Sequence, residues 1–288
     1  MSSAGAAFGD TRGLKRRRAT RIARGGFDIG IVIGIAIALI AVAAGVAVTG
    51  VSARYFFQPT SVLIVVGGTV GVMLITTPHP ALLLALQRTL NLFSMADGPD
   101  REELIEEIVT YARVYRIQGL LAMEPAIERV SHGFLREALN LALDAKEHKE
   151  LRSALENKIR LGERQSEAAA KVLEVAGGLT PTLGVLGTVV GLIDVLRQFS
   201  SLSLVAAGVG AAFTSTFYGL ALANIVLLPA AHRIRARGAE IFDLQEMMME
   251  GALCLFDGIH PRLVRQRLSS FLNTGHADDG AMTEAERP

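Results

Sequence analysis

The sequence predicts an all-α integral membrane protein. It has four transmembrane helices, a helical cytoplasmic domain inserted between helices two and three, and a helical cytoplasmic tail. Three observations lead there. Half of the 288 residues are hydrophobic (50%), and the mean hydropathy is +0.38, high for a soluble chain. The apolar residues gather into four runs, at 29–49, 61–77, 172–195 and 204–229, close to the ~20 residues that a ~30 Å hydrocarbon core needs. The basic residues collect on one side of those runs. The apolar content excludes a disordered chain. A formal charge of +1 gives no general attraction to nucleic acid. The single cysteine, Cys254, excludes an internal disulfide framework and any Cys-rich metal site.

Residues 1–26 form a basic cytoplasmic arm, with Arg12, Lys15, Arg16, Arg17, Arg18, Arg21 and Arg24 against Asp10 alone. The apolar run that follows is too long for a signal peptide and is succeeded at once by another, so it reads as an uncleaved helix. Residues 27–77 therefore hold transmembrane helices 1 and 2, the second ending at Pro78 and Pro80. Residues 78–171 form the inserted domain. There Leu104, Ile108, Tyr111 and Tyr115 recur at helical spacing, and 134–161 carry no Gly or Pro, a helical pattern that can run on into helix 3. Residues 172–229 hold helices 3 and 4, and 230–273 an amphipathic tail in two pieces separated by Gly258 and Pro261. Residues 274–288 read as disordered. The basic arm, and His232, Arg233, Arg235 and Arg237 directly after helix 4, place both termini in the cytoplasm by the positive-inside rule.

The central turns of the four runs contain no Asp, Glu, Lys, Arg or His. Intramembrane ionisable groups are the usual carriers in proton or sodium pathways, so this chain alone lacks a titratable relay. It does carry hydroxyls: Thr180, Thr182 and Thr188 on helix 3, and Thr214, Ser215, Thr216 and Tyr218 on helix 4. Such oxygens can replace part of an ion's water shell, or simply bond back to their own helix. Gly184, Gly187, Thr188 and Gly191 share one face of helix 3, and Gly208, Ala212, Ser215 and Gly219 one face of helix 4, as close helix approach requires. Pro181 lies inside helix 3, where it removes a backbone hydrogen bond. Pro229 stands at the inner end of helix 4, as a helix stop or a kink.

The stretch Pro181-Thr182-Leu183-Gly184-Val185-Leu186-Gly187-Thr188-Val189-Val190-Gly191-Leu192 resembles the third membrane helix of the MotA/TolQ/ExbB proton-channel superfamily. Three further stretches are similar to its MotA/PomA flagellar stator branch. They are Gln58-Pro59-Thr60-Ser61 with the apolar residues to Gly68, then Thr216-Phe217-Tyr218-Gly219 with Asn224 and Pro229, and Glu250-Gly251 followed by Gly258-Ile259-His260-Pro261-Arg262. The resemblance covers roughly 28–273.

The resemblance implies a partner that supplies the missing acid. Five copies would surround two copies of a MotB-type single-span protein carrying an ion-binding Asp, and ion flow would turn the ring and push a rotor switch-complex protein. Thr188, Ser215 and Thr216 would line the ion pathway, Pro181 and Pro229 would be the coupling prolines, and Arg116 and Glu124 would face the rotor. Ile117 and Pro125 stand where some relatives carry charge. The expected function is that of a flagellar motor stator subunit in the bacterial inner membrane, forming an ion channel, preferentially for protons, with its partner. The alternatives are an ExbB/TolQ-like unit energising outer-membrane transport or envelope integrity, and a non-conducting membrane scaffold. No cofactor, no metal and no nucleic-acid partner is expected, and membrane lipid is. Nor is an enzyme: the six histidines are scattered, and no phosphate-binding glycine loop or metal motif is present.

Overall fold

The computed structural model describes residues 29–50, 56–92, 100–119, 127–197 and 202–274. Among them every regular element is helical: α1 Ile29–Val48, α2 Pro59–Thr76, α3 His79–Leu92, α4 Arg101–Gln118, α5 Gly133–Asp144, α6 His148–Leu196, α7 Leu202–Ala221, α8 Leu228–Phe256 and α9 Pro261–Thr274. A π-helical stretch, Leu63–Gly67, lies inside α2, and another, Leu222–Leu227, joins α7 to α8 without a break. Glu124, the arm at 1–26 and the tail at 275–288 fall outside the described residues.

The chain divides into two compact units, Met1–Asp97 with Ala169–Ala231 and Gly98–Ala168 with His232–Pro288. The first is apolar on its outside. The helical runs Pro59–Thr76, His148–Leu196 and Gly208–Phe256 each contain a stretch long and apolar enough to cross a membrane, yet no more than 28% of any stretch is buried. α1 is apolar as well, with Ile37 and Ile40 62% and 66% exposed. Side chains of this kind facing outward need lipid or another protein surface. The internal core of this unit is small: Met73, Ala85, Ala169, Val172 and Ala176.

The second unit has a conventional core. Leu104, Ile108, Leu135, Leu151, Leu155, Met247, Met248, Leu253 and Leu268 are all at most 1% exposed. Several helix ends here have a local cause. The carboxylate of Asp100 accepts from the Glu102 N–H at 3.0 Å, Glu102 and Glu103 complement the α4 dipole, and Gly119 at φ 79° ends it. His132 Nδ1 accepts from the Phe134 N–H at 3.2 Å and opens α5. Pro261 starts α9. Glu167 forks Arg235 between 2.7 and 3.1 Å. Glu250 receives both Arg152 at 3.4 Å and Arg267 at 3.3 Å.

Pro229 does not end a helix. It is the second residue of α8, reached through the π-helical stretch. That position tolerates proline because the wider turn before it already disturbs the regular ladder. Pro181 is likewise internal to α6.

Candidate ion pathway

The small-residue faces of α6 and α7 bring the two backbones together. A methyl group built on Gly184 would stand 2.9 Å from the Ser215 carbonyl oxygen and 3.2 Å from the Gly219 Cα. One built on Gly219 would stand 2.9 Å from the Thr180 carbonyl oxygen and 3.0 Å from the Gly184 Cα. Only glycine at both positions permits this crossing.

The crossing sets the hydroxyls. Thr188 Oγ1 lies 2.6 Å from Thr216 Oγ1. Thr188 Oγ1 also lies 3.0 Å from the Ala212 carbonyl and 3.2 Å from the Gly184 carbonyl, and Thr216 Oγ1 lies 3.4 Å from that same Gly184 oxygen. Four oxygens from two helices thus meet at one buried point. One threonine donates its proton to the other at this distance, and the second keeps its own proton for a backbone carbonyl. Ser215 is different. Its Oγ is buried and has no hydrogen-bond partner among the described residues, and it presses against Gly187, where a Cβ would lie only 2.0 Å away. A buried hydroxyl without a partner costs about 1–3 kcal/mol. All three residues assigned to the pathway therefore belong to one helix–helix contact, and one of them retains unused bonding capacity.

A second buried hydroxyl pair links α2 to α6. Thr69 Oγ1 and Thr180 Oγ1 are 3.2 Å apart, and each also bonds back to its own helix at 2.6 Å, to Val65 and Ala176. Thr69 is not marked by the sequence, since a threonine in the middle of an apolar run has no periodicity to single it out. Tyr218 OH donates to the Phe56 carbonyl, tying α7 to the residues ahead of α2.

The two prolines are brought into one neighbourhood. Gly177 is the residue whose carbonyl loses its helical donor because Pro181 has no N–H. A Cβ on Gly177 would lie 2.8 Å from Leu228 Cδ2, and Leu228 directly precedes Pro229. The two helix irregularities therefore touch through Gly177 and Leu228. Arg116 lies in the last turn of α4 with its side chain exposed.

Known proteins share this arrangement of helices. The family model described as the MotA/TolQ/ExbB proton channel family matches residues 126–247. The Motility protein A of Treponema phagedenis is 30% identical over 226 residues, covering 78% of this chain and 87% of the relative. The chain belongs to the MotA/PomA flagellar stator family. Motility protein A of Bacillus subtilis is 29% identical over 267 residues, 88% of this chain and 97% of that one. The chemotaxis protein PomA of Vibrio alginolyticus is 29% identical over 248 residues, 86% and 94% of the two chains. Among solved structures, the flagellar MotAB stator complex from Bacillus subtilis superposes with a TM-score of 0.79 at 30% identity, covering 88% of this chain and 98% of that one.

Proposed function

We propose that this stator subunit builds the wall of an ion path and that a MotB-type single-span protein brings the acid into it. The observation that carries the reading is the Thr188–Thr216 hydroxyl pair at 2.6 Å, set in helices whose central turns bear no charge. Neutral oxygens can ease an ion past a carboxylate on a neighbouring helix without trapping it. The solved relative from Bacillus subtilis is a flagellar MotAB stator complex, which supports the same pairing here. In this reading the first unit lies in the inner membrane as four transmembrane helices, α1 included, with both termini cytoplasmic.

Several copies, five by analogy with the family, form a ring around the partner. The exposed apolar faces of α1 and α2 meet lipid and neighbouring copies. Protons are the preferred ion. The Gly177–Leu228 contact near Pro181 and Pro229 relays pathway events along α6 and α8, and Arg116 with Glu124 meets the rotor.

The test is reconstitution. The chain alone in liposomes should be electrically silent, and the chain co-expressed with its Asp-bearing neighbour should co-purify and support swimming in sodium-free medium. A proton or sodium current from the chain alone, or failure of the pair to co-purify, would overturn the proposal. Deletion that leaves swimming intact would move the chain to envelope energisation.

A further inference from the structure

The buried hydroxyl pair between α2 and α6 stands at the proline of α6. Thr180 is the residue directly before Pro181 and is fully buried, and Thr69 is buried opposite it. Thr180 touches two neighbouring helices at once. Its carbonyl oxygen is the atom that would meet a Cβ on Gly219 at 2.9 Å, and its hydroxyl lies 3.2 Å from that of Thr69. The first contact belongs to the crossing that sets Thr188 against Thr216. The second comes from α2, which supplies no atom to the Thr188–Thr216 contact.

The pair is short of one proton. Three oxygen–oxygen contacts meet here: Thr69 to the Val65 carbonyl and Thr180 to the Ala176 carbonyl, both at 2.6 Å, and hydroxyl to hydroxyl at 3.2 Å. Each hydroxyl carries a single proton, so one of the three contacts is always without one. The short distances place the protons on the helices' own carbonyls and leave the longer cross contact empty. Turning the Thr180 proton toward Thr69 links the two helices and takes the side-chain bond from the Ala176 carbonyl. That carbonyl is next to the Gly177 carbonyl, whose helical donor Pro181 removes. A threonine bonded back to its own helix bends it, so the choice between the two arrangements is a choice of bend at Pro181.

Packing does not call for these hydroxyls. Two apolar side chains of the same shape would be near neutral in their place, and hydroxyl bonds between membrane helices add little to their association. The other threonines of α2, Thr60 and Thr76, are exposed. The buried one is the one that faces the residue before Pro181.

We infer that Thr69 is a positioning residue for torque generation: it offers Thr180 a second hydrogen-bond partner and so sets the bend of α6 at Pro181. The inference rests on the proposed coupling role of Pro181 and adds α2, outside the ion path, to the coupling device. When the bend changes, the Thr180 carbonyl moves against Gly219, one turn beyond Thr216, and the change reaches the hydroxyl contact.

The test uses the full chain with its Asp-bearing partner in motile cells. Torque of a single stator unit is read as the height of each speed step when units join a motor one at a time under high load, beside membrane abundance and co-purification. A residue that only packs changes how many units join; a positioning residue changes the step. T69V should lower the step height with abundance and co-purification unchanged, and T69A, which cannot crowd α6, should do the same. T69S, which keeps the hydroxyl, should step as wild type. In a T180V background T69V should lower the step no further. T76V, which loses only a bond back to its own helix, should be harmless. Wild-type steps in T69V and T69A, a T69S variant as impaired as T69V, full additivity with T180V, or fewer units of unchanged step height would each overturn the inference. P181A separates it from the reading beneath it. Wild-type steps in P181A remove the coupling role of Pro181 and the inference with it, whereas lowered steps in P181A with wild-type steps in T69V keep that role and remove Thr69.

Discussion

Gly184→Ala should disable the hydroxyl contact without touching a hydroxyl. The new Cβ would meet the Ser215 carbonyl oxygen at 2.9 Å, the Thr216 Cα at 3.1 Å and the Gly219 Cα at 3.2 Å. All three are backbone atoms, so no side chain can swing aside. Relaxed carbon contacts lie at about 3.5–4.0 Å, so α6 and α7 must part by roughly half an ångström. Thr188 sits one turn further along α6 and moves with it. Its 2.6 Å contact with Thr216 then opens to the edge of the ~2.5–3.0 Å range of an O–H···O bond, and the 3.4 Å approach of Thr216 to the Gly184 carbonyl is lost. Overpacking of this kind costs about 1–3 kcal/mol, of which the hydroxyl pair accounts for about 0.5–1.5 kcal/mol.

The assay is a double-mutant cycle with Thr188→Val. Unfolding free energy is read by detergent titration, and torque by bead rotation at matched membrane abundance. If the glycine acts through the pair, Gly184→Ala and Thr188→Val will be less than additive. Gly219→Ala, at the same crossing, should match Gly184→Ala, while Gly210→Ala, whose Cβ meets nothing within 4 Å, should be harmless. Full additivity, or a Gly184→Ala variant with wild-type stability and torque, would refute the reasoning.

Three other outcomes are expected. Leu155, fully buried in the second unit, should cost about 2–5 kcal/mol when cut to alanine, seen as a lowered melting temperature with loss of membrane abundance. Gly258→Ala should cost about 1–2 kcal/mol, because the residue holds φ 65° between α8 and α9; hydrogen exchange should show the loss centred on α9. Burial pushes the His132 imidazole below its usual pKa, with Glu107 opposing. The unfolded chain therefore takes up that proton first. Stability is full above the unfolded value of about 6.5 and falls as pH drops from there through the lowered folded value. His132→Asn keeps an α5 cap and should flatten that part of the thermal-melt pH profile.

Much of this was legible because membrane helices advertise themselves. The apolar runs, the glycine faces of α6 and α7, and Pro181 inside a helix all follow from spacing within one segment. The Thr188–Thr216 contact follows in turn, since two small faces on successive helices have few other ways to pack. Contacts between distant segments were not legible. Thr69 and Thr180 are 111 residues apart, and nothing local says which of the three threonines of α2 turns toward α6. The π-helical stretch Leu222–Leu227 carries no Pro or Gly signal that sequence could weigh. That is why Pro229 read equally well as a stop, whereas the chain passes through it in helical form.

That widened stretch also fixes how the gene can change. A π turn is a helix that has swallowed one extra residue, so this is the place where the chain can give one back. Dropping one of residues 222–227 should restore regular α-turns and leave Leu228 in the notch at Gly177, whereas the same loss within a regular α-helical stretch would rotate everything that follows by about 100°.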